Sequence, residues 1–188
     1  PLHSSDDKVS EESFKILEQL LETAKTLQIT DIVIPCVDQS SLETKEAVNR
    51  FVEQITKIIP KIEKQNINLS LETDLAPQPF IELLDKLNSK NITVNYDIGN
   101  SAALGFDSDE ELNAYGDRIT DIHIKDRILG GGPVMLGEGN ANFVKFFGKL
   151  KEFDYQGPFI MQAYRDEEGI SIFKSQLKWI KDIFHSSL

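Results

Sequence analysis

Polar side chains stand at or near the ends of four short apolar segments of the sequence. Glu72, Asp97 and His123 occupy three of these positions, and Gln162 occupies the fourth. Two carboxylates, one imidazole and one carboxamide form a set of oxygen and nitrogen donors that suits a divalent ion such as Mn, Mg, Co or Zn. If the four segment ends meet in the fold, we expect a divalent-metal site there.

The apolar segments have the length and the β-branched content of strands. We predict five strands, at 31–37, 67–72, 92–97, 119–124 and 157–162. Successive residues of a strand point to opposite faces, so Leu71 opposes Glu72. The same alternation turns Asp97, His123 and Gln162 away from the apolar side chains of their own strands. Four strands are therefore predicted to share a polar face.

Segments with a helical spacing of apolar residues separate these strands. We predict helices at 10–27, with Ser10 as the N-cap, and at 45–64, 80–87, 109–115, 141–153 and 170–184. Regular strand–helix alternation implies right-handed crossovers and a parallel sheet. An open doubly wound sheet and a β/α barrel both fit this alternation, but the former is apolar on both faces. The polar face favours a barrel, in which active sites lie at the C-terminal mouth.

Each of these polar residues also has a simpler explanation. Glu72, Asp97 or His123, taken alone, is more readily explained as a strand-end residue that pairs with a nearby cation or with solvent. Their joint placement at a similar register in three successive strands favours the metal site. The three come from separate strands and match no compact metal motif, so their spacing alone is only moderately specific.

Four short motifs carry a resemblance to a known family. They are Leu71-Glu72, DIGN at 97–100, HIKDR at 123–127, and LGEG at 136–139 followed by Phe143. In this order they resemble segments of the sugar-phosphate isomerase/epimerase family of xylose isomerase-like barrels, along the whole chain. The resemblance implies an α/β fold of the (β/α)8 TIM barrel type, here incomplete with about five β/α units, strands four to eight.

The length agrees with an incomplete barrel. A closed eight-stranded barrel takes about 250 residues, whereas the chain has 188. By the resemblance, residues 1–188 form a single C-terminal portion of a barrel whose N-terminal three β/α units are missing. The first and last strands are then expected to be unpaired edges.

The resemblance also implies roles for the polar residues. In family members the matching Glu, Asp and His bind a divalent metal together with a second Glu on the last strand, which makes Glu72, Asp97 and His123 ligands and places Gln162 at the fourth position. A metal-polarised sugar carbonyl makes the adjacent C–H acidic enough for a carboxylate, here Glu72, to remove its proton. Gln162 is neutral and has no useful basicity. We expect two-base epimerisation to fail, while isomerisation by one base stays open.

Further substrate contacts follow from the same resemblance. Arg127 is suited to grip a phosphate or sugar hydroxyls through its fork of donors, although a surface ion pair explains it equally well. Asn100, Glu138 and His3 are the other candidates for substrate contact. The glycine run at 130–132 is a candidate phosphate loop or lid, but an ordinary loop is the simpler interpretation.

Charge and composition limit the class of partner. The chain has 20 Lys and Arg against 31 Asp and Glu, a net charge of −11, which repels nucleic acid and anionic membranes. No apolar run approaches the roughly 18 residues of a membrane span. Cys36 is the single cysteine, which we interpret as inert packing and which fits a reducing cytoplasm. We expect a cytoplasmic protein that binds a small-molecule sugar or sugar phosphate; a homo-oligomer is left open.

Three functions are weighed on these grounds. The leading hypothesis is a metal-dependent sugar or sugar-phosphate isomerase or epimerase. The alternative is a catalytically degenerate sugar- or metal-binding relative, which Gln162 and the missing strands favour. An apurinic endonuclease-like phosphodiesterase is disfavoured by the net charge of −11 and by too few additional His and Asp ligands for a multinuclear zinc site.

Overall fold

The predicted strands and helices follow one another along the chain in the predicted order. The structure, a computed structural model, describes residues 1–164 and 169–187. Its helices are α1 (Asp7–Leu27), α2 (Lys45–Gln65), α3 (Pro77–Leu87), α4 (Ile98–Leu104), α5 (Ser108–Tyr115), α6 (Phe143–Leu150) and α7 (Ile170–Ser187). Its strands are β1 (Asp31–Cys36), β2 (Asn68–Thr73), β3 (Ile92–Asp97), β4 (Ile119–Ile124), β5 (Asp126–Arg127), β6 (Pro133–Val134) and β7 (Phe159–Met161).

The predicted parallel α/β architecture is confirmed. The five predicted strands form one sheet in the order β1-β2-β3-β4-β7, and β1 with β2, β2 with β3, and β4 with β7 pair in parallel. In the part of the chain that the structure describes, this sheet does not close into a barrel, as expected for an incomplete one. The strands β5 and β6 form a separate antiparallel pair that the sequence did not predict.

Two compact units divide the chain, Pro1–Val94 and Asn95–Leu188, and their boundary falls inside β3. The single domain over 1–188 stays a prediction. Across both units, no described helix combines the length and the apolar character that crossing a bilayer requires.

In the first unit, α2 packs against α1, α3 and β2. α1 begins at Asp7 rather than at the predicted Ser10, because Asp6 is the N-cap. The Asp6 carboxylate accepts the backbone N–H of Lys8 at 2.9 Å, which satisfies one donor of the first turn. Ser10 is buried within the helix, where its hydroxyl donates to the carbonyl of Leu2.

In the second unit, one helix was not predicted and another is shorter than predicted. α4 follows β3 without a loop and was not predicted, because its seven residues carry too little apolar periodicity to indicate a helix. Its ends are nevertheless well defined, by Asp97 as the N-cap and by Gly105 in the left-handed region at φ 75°. α6 ends at Leu150, and a 3-10 turn takes over the rest of the predicted 141–153 helix.

Strand parity agrees with the prediction within each unit. Ser70 and Thr93 are register partners on β2 and β3, and their hydroxyls form a hydrogen bond of 2.9 Å. On β4, His123 contacts Asn95 of β3, two residues beyond Thr93. The apolar side of β7 is turned to the helices, where Phe159 packs edge-to-face on aromatic side chains of α6 and α7.

A buried carboxylate fastens α5 to β3 behind the polar face. Glu111 is 3% exposed and accepts hydrogen bonds from the hydroxyls of Tyr96, at 2.6 Å, of Ser101, and of Tyr115, at 2.9 Å. Burial is the dominant influence and raises the pKa of Glu111 above its usual 4.5, although the three hydroxyls oppose this shift. The folded protein therefore holds this proton more tightly than the unfolded chain does.

We expect Glu111→Gln to become progressively more stable relative to the wild-type protein as pH rises above about 4, the ordinary pKa range of a glutamate. Between the unfolded and folded pKa values, unfolding of the wild-type protein releases a proton, so higher pH favours unfolding. The amide has no proton to release. Urea unfolding at several pH values measures the difference, with Glu110→Gln, an exposed neighbour on α5, as the control. A pH-independent difference contradicts the prediction.

Candidate metal centre

Asp97 lies at the junction of β3 and α4 and is 5% exposed. One carboxylate oxygen, Oδ1, accepts the backbone N–H of Asn100 at 2.8 Å and so caps α4. The other oxygen, Oδ2, lies 3.7 Å from Nδ1 of His123 and 3.4 Å from Nζ of Lys125. The orientation of this carboxylate is thus fixed, because one oxygen accepts the capping hydrogen bond and the other faces His123 and Lys125.

His123 is held in place on β4 by the neighbouring strand. It is 5% exposed, and the Nδ2 atom of Asn95 lies 3.2 Å from its ring nitrogen Nδ1. A contact of this kind to a ring nitrogen restricts the rotation of the imidazole. The plane of the ring is therefore oriented before any ligand is bound.

Glu72 completes a group of three potential metal ligands. It lies on β2 and is 8% exposed, and its carboxylate belongs with Asp97 and His123 to a group whose ligand atoms all lie within 4.8 Å of one another. Ligands of one ion at about 2.0–2.6 Å lie up to about 4–5 Å apart, so the spacing and the mixed oxygen and nitrogen donors fit a divalent cation. A buried pair of carboxylates also needs positive charge nearby.

Lys125 is a further neighbour of this group, and it was not predicted from the sequence. Its ammonium lies 3.4 Å from Asp97 Oδ2 and 3.2 Å from the Oδ1 atom of Asn100. Its aliphatic stem packs against Gly99, where an added Cβ would lie only 2.8 Å from Cγ of the lysine. The DIGN and HIKDR motifs are therefore in direct contact. Glycine at position 99 leaves the space that the Lys125 side chain occupies.

Asp126 was also missed, and it orders the loop that carries the LGEG motif. Its side chain is fully buried and accepts three backbone N–H groups, those of Gly137, Gly139 and Ala141, at 2.9, 3.0 and 3.0 Å. Glu138, which lies between the two glycines, is exposed, and its contact with substrate stays a prediction. The sequence features that could have indicated the role of Asp126 are its position, three residues after the predicted ligand His123, and the two glycines at 137 and 139.

Arg127 and Asn100, both predicted to contact substrate, bond to each other. Nη1 of Arg127 donates to Oδ1 of Asn100 at 2.8 Å. Nε and Nη2 donate to the carbonyl of Gly131 at 3.1 and 2.9 Å. Three of the five guanidinium donors are thus engaged inside the protein. Substrate contact by either residue stays a prediction, and the structure adds that Arg127 orients Asn100.

The glycine run at 130–132 forms the tip of the β5–β6 hairpin. Four successive backbone N–H groups, those of residues 128–131, donate to acceptors within the protein. Among them, Gly130 N–H reaches the carbonyl of Ala103 on α4 at 2.8 Å, and Leu129 N–H reaches Oδ1 of Asn140 at 2.8 Å. These four groups are already used, which favours the ordinary-loop interpretation over a phosphate loop.

Gln162 follows β7 directly, and its backbone N–H donates to the carbonyl of Ile124 at 3.0 Å. Its side chain is exposed and lines a cavity together with Lys125. His3 is buried in the first unit, where it packs edge-on against Phe51, and burial lowers the pKa of its imidazole. The metal-ligand role of Gln162 and the substrate contact of His3 stay predictions.

Cys36 is buried in β1 and agrees with the inert role expected of it. Burial, followed by the negative charges of Asp74 and Glu72, raises the pKa of its thiol to about 12. The thiolate is the form that reacts and binds metals. A thiol that keeps its proton at neutral pH therefore adds no ligand.

The family of this chain is established by comparison with known sequences. The sequence profile of the xylose isomerase-like TIM barrel family matches residues 1–183, and the chain belongs to this family. An Escherichia coli protein named L-ribulose-5-phosphate 3-epimerase is 26% identical over 192 residues, which cover 96% of this chain and 67% of the relative.

Solved structures of similar fold agree with the family. L-ribulose 3-epimerase superimposes with a TM-score of 0.81 at 15% identity, covering 99% of this chain and 71% of that one. The IOLI protein, solved with a bound zinc atom, superimposes with a TM-score of 0.82 at 20% identity, covering 100% of this chain and 74% of that one. At these identities the likeness shows the fold.

Gly139 lies in the LGEG loop, close to the buried carboxylate of Asp126. A Cβ at Gly139 would lie 2.2 Å from Oδ1 of Asp126 and 2.6 Å from the carbonyl oxygen of Arg127. We expect Gly139→Ala to lower the free energy of unfolding by about 1–3 kcal/mol, because the loop must move away from the carboxylate. Urea unfolding measures the change.

Gly148 provides the matched control. It lies within α6, and no neighbouring atom lies within 4 Å of an added Cβ. Gly148→Ala is expected to raise the free energy of unfolding by about 0.5–1 kcal/mol, since alanine favours a helix interior. Equal changes in the free energy of unfolding for the two substitutions would contradict the prediction, because they would show that the LGEG loop tolerates a side chain at position 139.

Proposed function

We propose that this chain acts as a metal-dependent isomerase or epimerase of a sugar phosphate, by proton transfer at the carbon next to a carbonyl. The observation that carries the proposal is the buried group of Glu72, Asp97 and His123, whose ligand atoms lie within 4.8 Å of one another. The names of the relatives support the substrate class, because the E. coli relative is named for a ketopentose phosphate.

Glu72, Asp97 and His123 would hold the cation. A bound divalent cation supplies Lewis-acid polarisation of a sugar carbonyl and so lowers the barrier to removal of the neighbouring proton. Asn95 restricts the rotation of the His123 imidazole through its 3.2 Å contact with Nδ1. The backbone N–H of Asn100 keeps Asp97 from rotating.

Glu72 is the residue to which we assign the proton transfer. Asp97 caps α4 with one oxygen, and its other oxygen, which would bind the cation, also faces Lys125; neither oxygen is left to take a proton. Glu72 therefore takes the proton from the substrate carbon and returns it to the product. A single carboxylate of this kind suffices for isomerisation, or for exchange at one face of the carbon.

Gln162 supports a second candidate function, that of a protein that binds a sugar without turning it over. Its carboxamide stands next to the end of β7, where the family resemblance places a second Glu, and it has no useful basicity. Inversion at a carbon needs an acid on the face opposite to the base. The two candidates differ in whether Glu72 alone exchanges a substrate proton.

Proton exchange in deuterated water tests the proposal. With Mn²⁺ present, the wild-type chain is expected to replace the C-3 proton of L-ribulose 5-phosphate by deuterium, followed by proton NMR. Chelation should stop the exchange, and Glu72→Gln should slow it by about 10²–10⁴-fold, the usual contribution of a general base. Glu110→Gln, an exposed carboxylate on α5, serves as the control with unchanged rate.

Gln162→Glu in the same assay separates the two candidates. If Glu72 is an active base on one face, the variant gains formation of the 3-epimer while the wild-type chain shows exchange alone. Absence of exchange in both proteins, with Mn²⁺ bound, would overturn the enzymatic proposal and leave a binding function.

A further inference from the structure

A cavity of about 610 Å³ lies next to Lys125 in the second unit. Among its walls are Pro133 of β6, Gln162 and Tyr164 beyond β7, and Phe173 of α7. This volume lies in the range of small-molecule sites, about 300–1,000 Å³. Among the described residues that line the cavity, Lys125 carries the one charged side chain.

Lys125 lines this cavity, and its ammonium is preorganised by its contacts within the protein. Its stem is held against Gly99, and its nitrogen contacts Asp97 Oδ2 at 3.4 Å and Asn100 Oδ1 at 3.2 Å. Arg127 holds Asn100 from the other side at 2.8 Å. A lysine fixed in this way loses little rotamer freedom when it binds a further group, which removes a cost that a surface lysine pays.

The ammonium of Lys125 can donate one further hydrogen bond. An ammonium has three donors, and Asp97 and Asn100 account for two of them. A sugar hydroxyl at the third would gain an ordinary hydrogen bond, whereas a phosphate oxygen would gain a charge-assisted one of about twice the strength. In a chain of net charge −11, attraction of an anion requires a local cation of this kind.

We infer that Lys125 binds the phosphate group of the substrate in this cavity and so sets the preference for a phosphorylated over an unphosphorylated sugar. The inference rests on the proposed function and names the residue that selects its substrate class. It assigns the phosphate contact to Lys125 instead of Arg127, for which the family resemblance implied a phosphate or sugar contact. Arg127 has an indirect role, because it orients Asn100 and through it the ammonium.

Calorimetric titration with two probes tests this inference. L-ribulose 5-phosphate and L-ribulose are titrated into the wild-type chain, Lys125→Met and Lys178→Met, each in the presence of Mn²⁺. Lys125→Met should weaken binding of the phosphorylated sugar by about 10- to 100-fold, the value of a charge-assisted hydrogen bond, and binding of the unphosphorylated sugar by less than about threefold. Lys178→Met, an exposed lysine of α7, should change neither.

Loss of affinity for both sugars by the same factor would overturn the inference, because it would show that Lys125 acts by supporting Asp97. An unchanged preference would overturn it as well. Competition on the wild-type chain gives a test that needs no variant: inorganic phosphate should displace the phosphorylated sugar and leave binding of the unphosphorylated one unaffected.

The two proposals fail in distinguishable ways. A wild-type chain that prefers the phosphorylated sugar through Lys125 but exchanges no proton overturns the enzymatic proposal alone. A chain that exchanges the proton in a Mn²⁺-dependent manner, with a preference that survives Lys125→Met, overturns the phosphate assignment alone.

Discussion

The carboxylate of Asp97 is the constraint on which the candidate site depends. Its two oxygens serve different partners, since one accepts the Asn100 N–H that starts α4 and the other faces both His123 and Lys125. A strand end that is also a helix cap leaves the side chain almost no freedom. The predicted ligand is therefore positioned by the backbone of the next helix, and the lysine is positioned by the ligand.

A second carboxylate, Asp126, has the corresponding role for the loop outside the site. It gathers three backbone N–H groups, and the approach is close enough that glycine is required at position 139. The HIKDR motif thus combines different functions at adjacent positions. His123 belongs to the candidate metal site, Lys125 lines the cavity, and Asp126 orders the LGEG loop.

The sequence was sufficient for the strands and for the polar face, because two-residue periodicity records which side of a strand is apolar. It was not sufficient for α4, whose start is set by one carboxylate and one backbone N–H rather than by an apolar stripe. The roles of Lys125 and Asp126 were not predicted, because they depend on contacts with residues 28 and 11 positions away in the sequence. The bond between Arg127 and Asn100, 27 positions apart, was not predicted for the same reason.

The central claim is that Glu72, Asp97 and His123 bind one divalent cation. Anomalous diffraction at the manganese edge, from crystals of this chain grown with Mn²⁺, tests it most directly. We predict the strongest peak within about 2.6 Å of a carboxylate oxygen of Glu72, a carboxylate oxygen of Asp97 and a ring nitrogen of His123. Peaks confined to surface carboxylates, with none among these three residues, would contradict the account.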